Sequence, residues 1–179
     1  MVSDSFQGLP AEEDGLKVQG PHWRPGAFSA ADALGIWDAH ALMERVYRRI
    51  GHPNVTLVQG YFSESLPLMH LASLRPALLV DVDVDLYASA RDALTWLFRS
   101  NLVIPGTIVH YDDWTNLNAS DELWGEMRAH REITEEFNVK WRLVGDRDAP
   151  SRRHWLRNEY QVVSIGDTRP VVGRPYVGR

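Results

Sequence analysis

Two short apolar runs, each ending in acid and separated by a helix-length segment, constrain this chain more than any other feature. The first is Ala77-Leu-Leu-Val-Asp-Val-Asp-Val-Asp85 and the second is Thr107-Ile-Val-His-Tyr-Asp-Asp-Trp114. Between them, Ala90, Ala93, Leu94, Leu97 and Phe98 fall on one face of a helix over about 88–101. A strand–helix–strand unit of this kind predicts neighbouring parallel strands, over 77–83 and 107–112. Both would deliver their acids to the carboxyl edge of the sheet, where open α/β sheets bind ligands. Asp83, Asp112 and Asp113 would then repel one another unless a cation or a proton relieved them. The pattern points to a divalent-metal site.

The rest of the chain reads as α/β around that unit. Residues 1–28 have loop composition. A helix is expected over 29–50, a strand over 54–59 closed by Gly60, and a helix over 63–74 ahead of Pro76. Pro105-Gly106 is a turn. Asp121 to Phe137 reads as a charged surface helix, and strands over 139–144 and 159–165 are expected to close the sheet as an antiparallel hairpin. The expected domain covers residues 1–166, with 167–179 a poorly ordered tail.

Composition removes several function classes. The 179 residues suit one domain of ordinary size, and a net charge of −5 argues against a nucleic-acid or anionic-membrane surface. There is no cysteine, which excludes disulfides, thiolate metal sites and cysteine nucleophiles. No apolar run approaches the ~20 residues of a membrane span, and the N-terminus lacks a secretion pattern, so a cytoplasmic protein is expected. Neither a G-x-G-x-x-G nor a G-x-x-x-x-G-K-[ST] phosphate loop occurs.

Four further segments stand in order: Asp4-Ser-Phe-Gln-Gly-Leu-Pro10, Gln59-Gly-Tyr-Phe-Ser-Glu-Ser-Leu-Pro67, Asp83-Val-Asp-Leu-Tyr87, and Pro105-Gly-Thr-Ile-Val-His-Tyr-Asp-Asp-Trp114. Each is weak alone. In this order and spacing the chain resembles the macrocin O-methyltransferase family of class I S-adenosylmethionine-dependent methyltransferases, over residues 4–165. Gly125-Glu126 with Ala129 also resembles the start of that family's following helix. The resemblance implies a mostly parallel class I sheet with a C-terminal antiparallel hairpin. It also implies Mg²⁺ held by Asp83, Asp112 and Asp113, and S-adenosylmethionine held near Asp4, Gly60 and Tyr61. The implied reaction is methyl transfer to a hydroxyl of a sugar or other natural-product small molecule; no residue is assigned as the catalytic base.

The resemblance departs from the family pattern at the front. Met1–Asp4 matches the end of the second class I strand, so the expected fold is N-terminally truncated, without the first strand or the glycine-rich turn. Weak or absent S-adenosylmethionine binding by this chain alone is therefore expected. The missing strand would leave one edge of Ala77–Val80 open. Two remedies are foreseen: strand 54–59 crosses over to pair with it, or a homo-oligomer covers it. Two alternative functions remain beside the methyltransferase. One is a non-catalytic assembly domain. The other is a metal-dependent glycosyltransferase using Asp83-Val84-Asp85 as a D-x-D, which leaves Asp112-Asp113 unexplained.

The bland readings are equally specific. Asp85 and Tyr87 are expected to cap and pack the following helix, and His110 to be a hydrogen-bonded strand residue. Most of the seven tryptophans are expected in the core, with Trp114 a candidate for substrate stacking. Arg152-Arg153 reads as a solvated loop.

Overall fold

A computed structural model describes residues 1–12, 21–114, 125–144 and 158–166. The Asp121–Trp124 start of the expected surface helix, the 145–157 loop with Arg152, Arg153, His154 and Trp155, and the 167–179 tail lie outside them. The chain forms two compact units, Met1–Met69 and His70–Arg179. The structure is mixed α/β, with one small parallel sheet and one mixed sheet.

The first unit is built on a two-stranded parallel sheet, β1 (Val2–Asp4) beside β2 (Leu57–Gln59), in which Asp4 is registered with Gln59. The loop expected over residues 1–28 thus begins as a strand. Three residues are too few to show a period in sequence, and only the family resemblance marked them. Strand β2 (57–59 of the strand expected over 54–59) pairs with β1 and, among the described residues, not with β3, so the first of the two foreseen remedies, a crossover onto strand 77–83, is not seen. The helix expected over 29–50 is two helices, α1 (Ala30–Leu34) and α2 (Ala39–Ile50). Gly35 at φ 65° ends α1 in the left-handed conformation, and Asp38 restarts the chain by accepting the Ala41 N–H at 2.8 Å. The helix expected over 63–74 shortens to α3 (Phe62–Ser65) and two 3-10 turns, the first containing Pro67.

The Asp4–Pro10 segment is a backbone device. The Asp4 carboxylate accepts the Phe6 N–H, the Ser5 hydroxyl accepts the Gln7 N–H at 3.1 Å, and the same hydroxyl donates to the Gly8 carbonyl at 2.8 Å. Leu9 then exchanges backbone bonds with Ala27 and Gly26 at 2.9 Å each. Phe6 is thereby turned into a small core with Ala31 and Leu42.

The second unit holds a four-stranded sheet in the order β3-β4-β6-β5, formed by Leu79–Val82, Ile108–Tyr111, Glu159–Ser164 and Lys140–Leu143. Strands β3 and β4 are adjacent and parallel, as expected. β5 and β6 form the expected antiparallel pair, with β6 lying between β5 and β4. Helix α4 (Tyr87–Arg99) buries Ala90, Leu94 and Phe98 at i, i+4 and i+8, and α5 (Gly125–Glu136) buries Ala129 and Ile133. These side chains join Val82, Val109, Tyr111 and Val162 in one core. Arg91 bonds both Glu132 and Glu136 across the helix pair, and Arg99 adds a 2.9 Å bridge to Glu136. Along its other edge β3 pairs with no strand among the described residues, and Leu78 and Leu79 are 88% and 58% exposed.

Gly8 makes the clearest local demand on sequence. Its φ is +90°, and a Cβ there would meet the Ala27 carbonyl oxygen and come within 2.6 Å of the Gly26 backbone. Gly35 has an equally left-handed φ of +65° but open space around it. Gly8→Ala is therefore expected to cost roughly 2 kcal/mol or more, and Gly35→Ala about 1 kcal/mol. Urea denaturation of the two variants checks the difference, and equal losses would mean that the close approach at Gly8 contributes nothing.

Candidate functional site

The site in the second unit is made by strand register. Val82 is paired with Tyr111, and the Asp112 N–H donates to the Val82 carbonyl at 3.0 Å, which carries the parallel ladder one step past the strands. Asp83 and Asp112 therefore leave the sheet side by side. One ligand oxygen from each of Asp83, Asp112 and Asp113 lies within 4.8 Å of the other two. Asp83 and Asp112 are exposed and Asp113 is half-buried.

Such a cluster is electrostatically unfavourable by itself. Burial, then the charges of Asp112, Asp113 and Asp81, raise the Asp83 pKa, and only His110 opposes the shift. Asp85 is pushed up to about 7, first by burial and then by its hydrogen bond to the Asp113 side chain. Hard, mutually repelling carboxylate oxygens at this spacing suit a small divalent cation. Bonds of about 2.1 Å put two ligands of an octahedral ion about 3.0 Å apart when cis and ~4.2 Å apart when trans, so side-chain rotation would draw the three oxygens together around an ion.

Asp85 does not cap α4 as expected. Leu86 occupies the N-cap position without a side-chain bond, while Asp85 sits at φ 55° and turns its carboxyl group to Asp113. The Leu86 N–H bonds back to the Val84 carbonyl, closing a three-residue turn around Asp85. Tyr87 does pack as expected: its hydroxyl donates to Glu132 at 2.6 Å, and the Arg128 guanidinium lies 4.6 Å from its ring centroid. His110 Nδ1 lies 2.6 Å from Asp81, in keeping with a hydrogen-bonded strand histidine.

Glu126, noted in sequence only with Gly125 and Ala129 as a helix-start resemblance, was given no role there because the helix read as a charged surface. It is fully buried. Its Oε1 accepts the Val84 N–H at 3.4 Å and its Oε2 accepts the Asp113 N–H at 3.0 Å. Burial, followed by the Asp113 charge, pushes its pKa up to about 9, against the pull of those two bonds. The available signal was position: Glu126 heads the stripe Ala129, His130, Ile133, Phe137, at i+3, i+4, i+7 and i+11.

The first unit gathers the three residues expected near the cofactor. Asp4 ends β1 with an exposed side chain, and its carbonyl accepts the Gly60 N–H at 3.0 Å, just past β2. Gly60 has φ +130°, and Ser65 folds back to donate to the carbonyls of Gly60 and Tyr61 at 3.2 and 2.9 Å. Tyr61 caps α3 through its backbone. An exposed acid at a strand end, with a glycine bend beside it, is chemically suited to a ribose diol.

With these geometries in view, the sequence comparison is specific. Residues 1–144 match the Macrocin-O-methyltransferase (TylF) family, and the chain belongs to that family. A solved structure of the O-methyltransferase NovP superposes with a TM-score of 0.55 at 22% identity, covering 91% of this chain and 59% of that one. The crystal structure of CalS11, a calicheamicin methyltransferase, superposes with a TM-score of 0.56 at 26% identity, covering 89% and 58% respectively. The chain thus spans less than three-fifths of either structure. A search of curated protein sequences returned no match.

Trp114, the candidate for substrate stacking, is half-buried against an aromatic cluster of the second unit. Its ring lies 5.0 Å from Tyr111 and 4.9 Å from both His130 and Tyr160. Trp37 departs from the expectation of core tryptophans: it is 75% exposed and donates to Asp32 at 3.0 Å. His130 stands among the rings of Tyr111, Trp114, Trp141 and Tyr160, with Nδ1 3.1 Å from the Tyr111 hydroxyl. Burial there lowers its pKa to about 4. Between that value and the unfolded value of ~6.5 the unfolded chain binds a proton that the folded chain refuses. The His130 contribution to stability is therefore lost as pH falls from about 6.5 through 4, by an amount on the order of 3 kcal/mol at about 1.4 kcal/mol per pKa unit. Asp85 and Glu126, raised to about 7 and about 9, act in the opposite sense over the same window, so the effect is read as a difference: between pH 7 and pH 4.5, urea unfolding should show the wild type losing stability relative to His130→Phe.

Proposed function

We propose that this chain is an S-adenosylmethionine-dependent, Mg²⁺-dependent O-methyltransferase acting on a hydroxyl of a sugar or other natural-product small molecule. The observation that carries the reading is the convergence of Asp83, Asp112 and Asp113 in a chain whose first 144 residues match the Macrocin-O-methyltransferase (TylF) family. In this reading those three acids hold Mg²⁺, which when bound orients the acceptor hydroxyl and lowers its pKa. S-adenosylmethionine supplies the electrophilic methyl group. Asp4 accepts the ribose hydroxyls, and the Gly60–Tyr61 bend borders the cofactor. Positioning of acceptor against donor contributes much of the rate in such a transfer.

The description of CalS11 as a calicheamicin methyltransferase supports a natural-product acceptor. No described helix is long and apolar enough to cross a membrane, and a cytoplasmic setting completes the proposal. The exposed Leu78–Leu79 edge of β3 supports a homo-oligomer that pairs along it. Light scattering at high concentration tests that part, and a monomer would remove it.

Calorimetry tests the activity class. Mg²⁺ should bind to the chain and Asp112→Asn should weaken that binding at least about tenfold, one ligand and one charge being lost. S-adenosylmethionine binding that strengthens with Mg²⁺ supports the methyltransferase. Binding of a nucleotide diphosphate sugar instead would favour a glycosyltransferase. Absence of Mg²⁺ binding together with absence of both organic ligands would favour a non-catalytic assembly domain.

A further inference from the structure

We propose that Glu126 is the positioning residue of the acid triad. Its carboxyl group joins the exit loops of β3 and β4 through the backbone N–H groups of Val84 and Asp113, so that Asp83 and the Asp112-Asp113 pair converge on one point. The inference rests on the metal-site reading above and assigns the element that holds that site in shape.

Burying a carboxyl group completely is costly, and an apolar side chain would pack more cheaply at the head of the α5 stripe. A carboxyl group does one thing there that an apolar side chain cannot. It accepts two N–H donors from segments 29 residues apart in sequence, at 3.4 Å from Val84 and 3.0 Å from Asp113. The regular ladder ends at the bond from the Asp112 N–H to the Val82 carbonyl. Val84 directly follows the first acid of the triad, and Asp113 is its third. Glu126 thus continues the connection between the two strands at the point where strand pairing stops.

The backbone of α5 is shaped for this contact. Gly125 has φ +52°, and a Cβ there would stand 3.0 Å from the Asp85 carbonyl oxygen. Only glycine allows the first turn of α5 to press onto the β3 exit loop this closely. Glu126 stands outside the cluster of three ligand oxygens and touches it through backbone N–H groups.

The test uses the full 179-residue chain, with Mn²⁺ as the probe. Glu126→Gln keeps the shape but turns one acceptor into a donor facing an N–H group, and Glu126→Met removes both acceptors. Free Mn²⁺ is followed by electron paramagnetic resonance, amide hydrogen exchange by NMR, and unfolding by thermal denaturation. Glu126→Met should weaken Mn²⁺ binding at least tenfold and Glu126→Gln by an intermediate factor. In the metal-free protein the Val84 and Asp113 amides should exchange faster in both variants, while the β4 amides and the melting temperature hold. Should Glu126→Met fail to fold, the isosteric Gln variant carries the test alone. Wild-type Mn²⁺ binding that Asp112→Asn abolishes but the Glu126 variants leave unchanged would overturn the positioning role and leave the metal site standing. A wild-type chain that does not bind Mn²⁺ would overturn the metal-site reading, and this inference with it.

Discussion

The parallel register of Val82 against Tyr111 is the constraint on which the second unit depends. It is pinned at its start by Thr107, whose hydroxyl donates to the Ala77 carbonyl at 2.7 Å, and by the Ile108 N–H bond to Leu78 at 3.0 Å. Side chains alternate along a strand, so a slip of one residue would move Val109 and Tyr111 out of the core. It would also separate Asp83 from Asp112. Core packing and acid convergence are thus consequences of one alignment. That explains how exposed, mutually repelling side chains are held in place: the buried residues one and two positions earlier fix them.

The acids at the strand ends of the two units have different chemical characters. Asp4 is a single carboxylate, used locally to fold the Asp4–Pro10 segment through the Phe6 N–H. Its environment is that of a hydrogen-bond acceptor for neutral partners. Asp83, Asp112 and Asp113 face one another, and the charges of the other two raise the Asp83 pKa, an arrangement suited to a cation. The same residue type at the same kind of strand end therefore carries two expectations, and neighbouring charge rather than fold distinguishes them.

Legibility from sequence followed the strength of the local pattern. The apolar runs at β3 and β4, the Ala90–Leu94–Phe98 face of α4 and the β5–β6 pair were readable because each repeats a period long enough to stand out. β1 was not, since Val2–Asp4 contains one apolar residue between two polar neighbours and Met1. The break at Gly35 and the shortening at Pro67 follow from backbone preferences, but a continuous apolar pattern across 29–50 outweighed the glycine. The burial of Glu126 was not readable even though Gly125-Glu126 stood out as a motif: a glutamate in a charged helix suggests solvent, and tertiary packing places it beneath two backbone amides.

The distribution of positive charge in the second unit sharpens what the acid cluster requires. Arg91 and Arg99 are committed to Glu136, Arg91 also to Glu132, and Arg128 to Glu132 and the Tyr87 ring. These cations serve the contact between α4 and α5. His110, whose charge opposes the rise in the Asp83 pKa, is itself bonded to Asp81. These three arginines serve helix packing, while Asp83 and Asp85 feel the charges of their acidic neighbours at the sheet edge. A divalent ion would relieve that repulsion directly, because two positive charges at ~2.1 Å from the oxygens exceed anything a lysine or arginine could supply from the rim. The mutual repulsion recorded at Asp83 and Asp85, at the edge where the two parallel strands end, is the physical basis for the cation the site is proposed to hold.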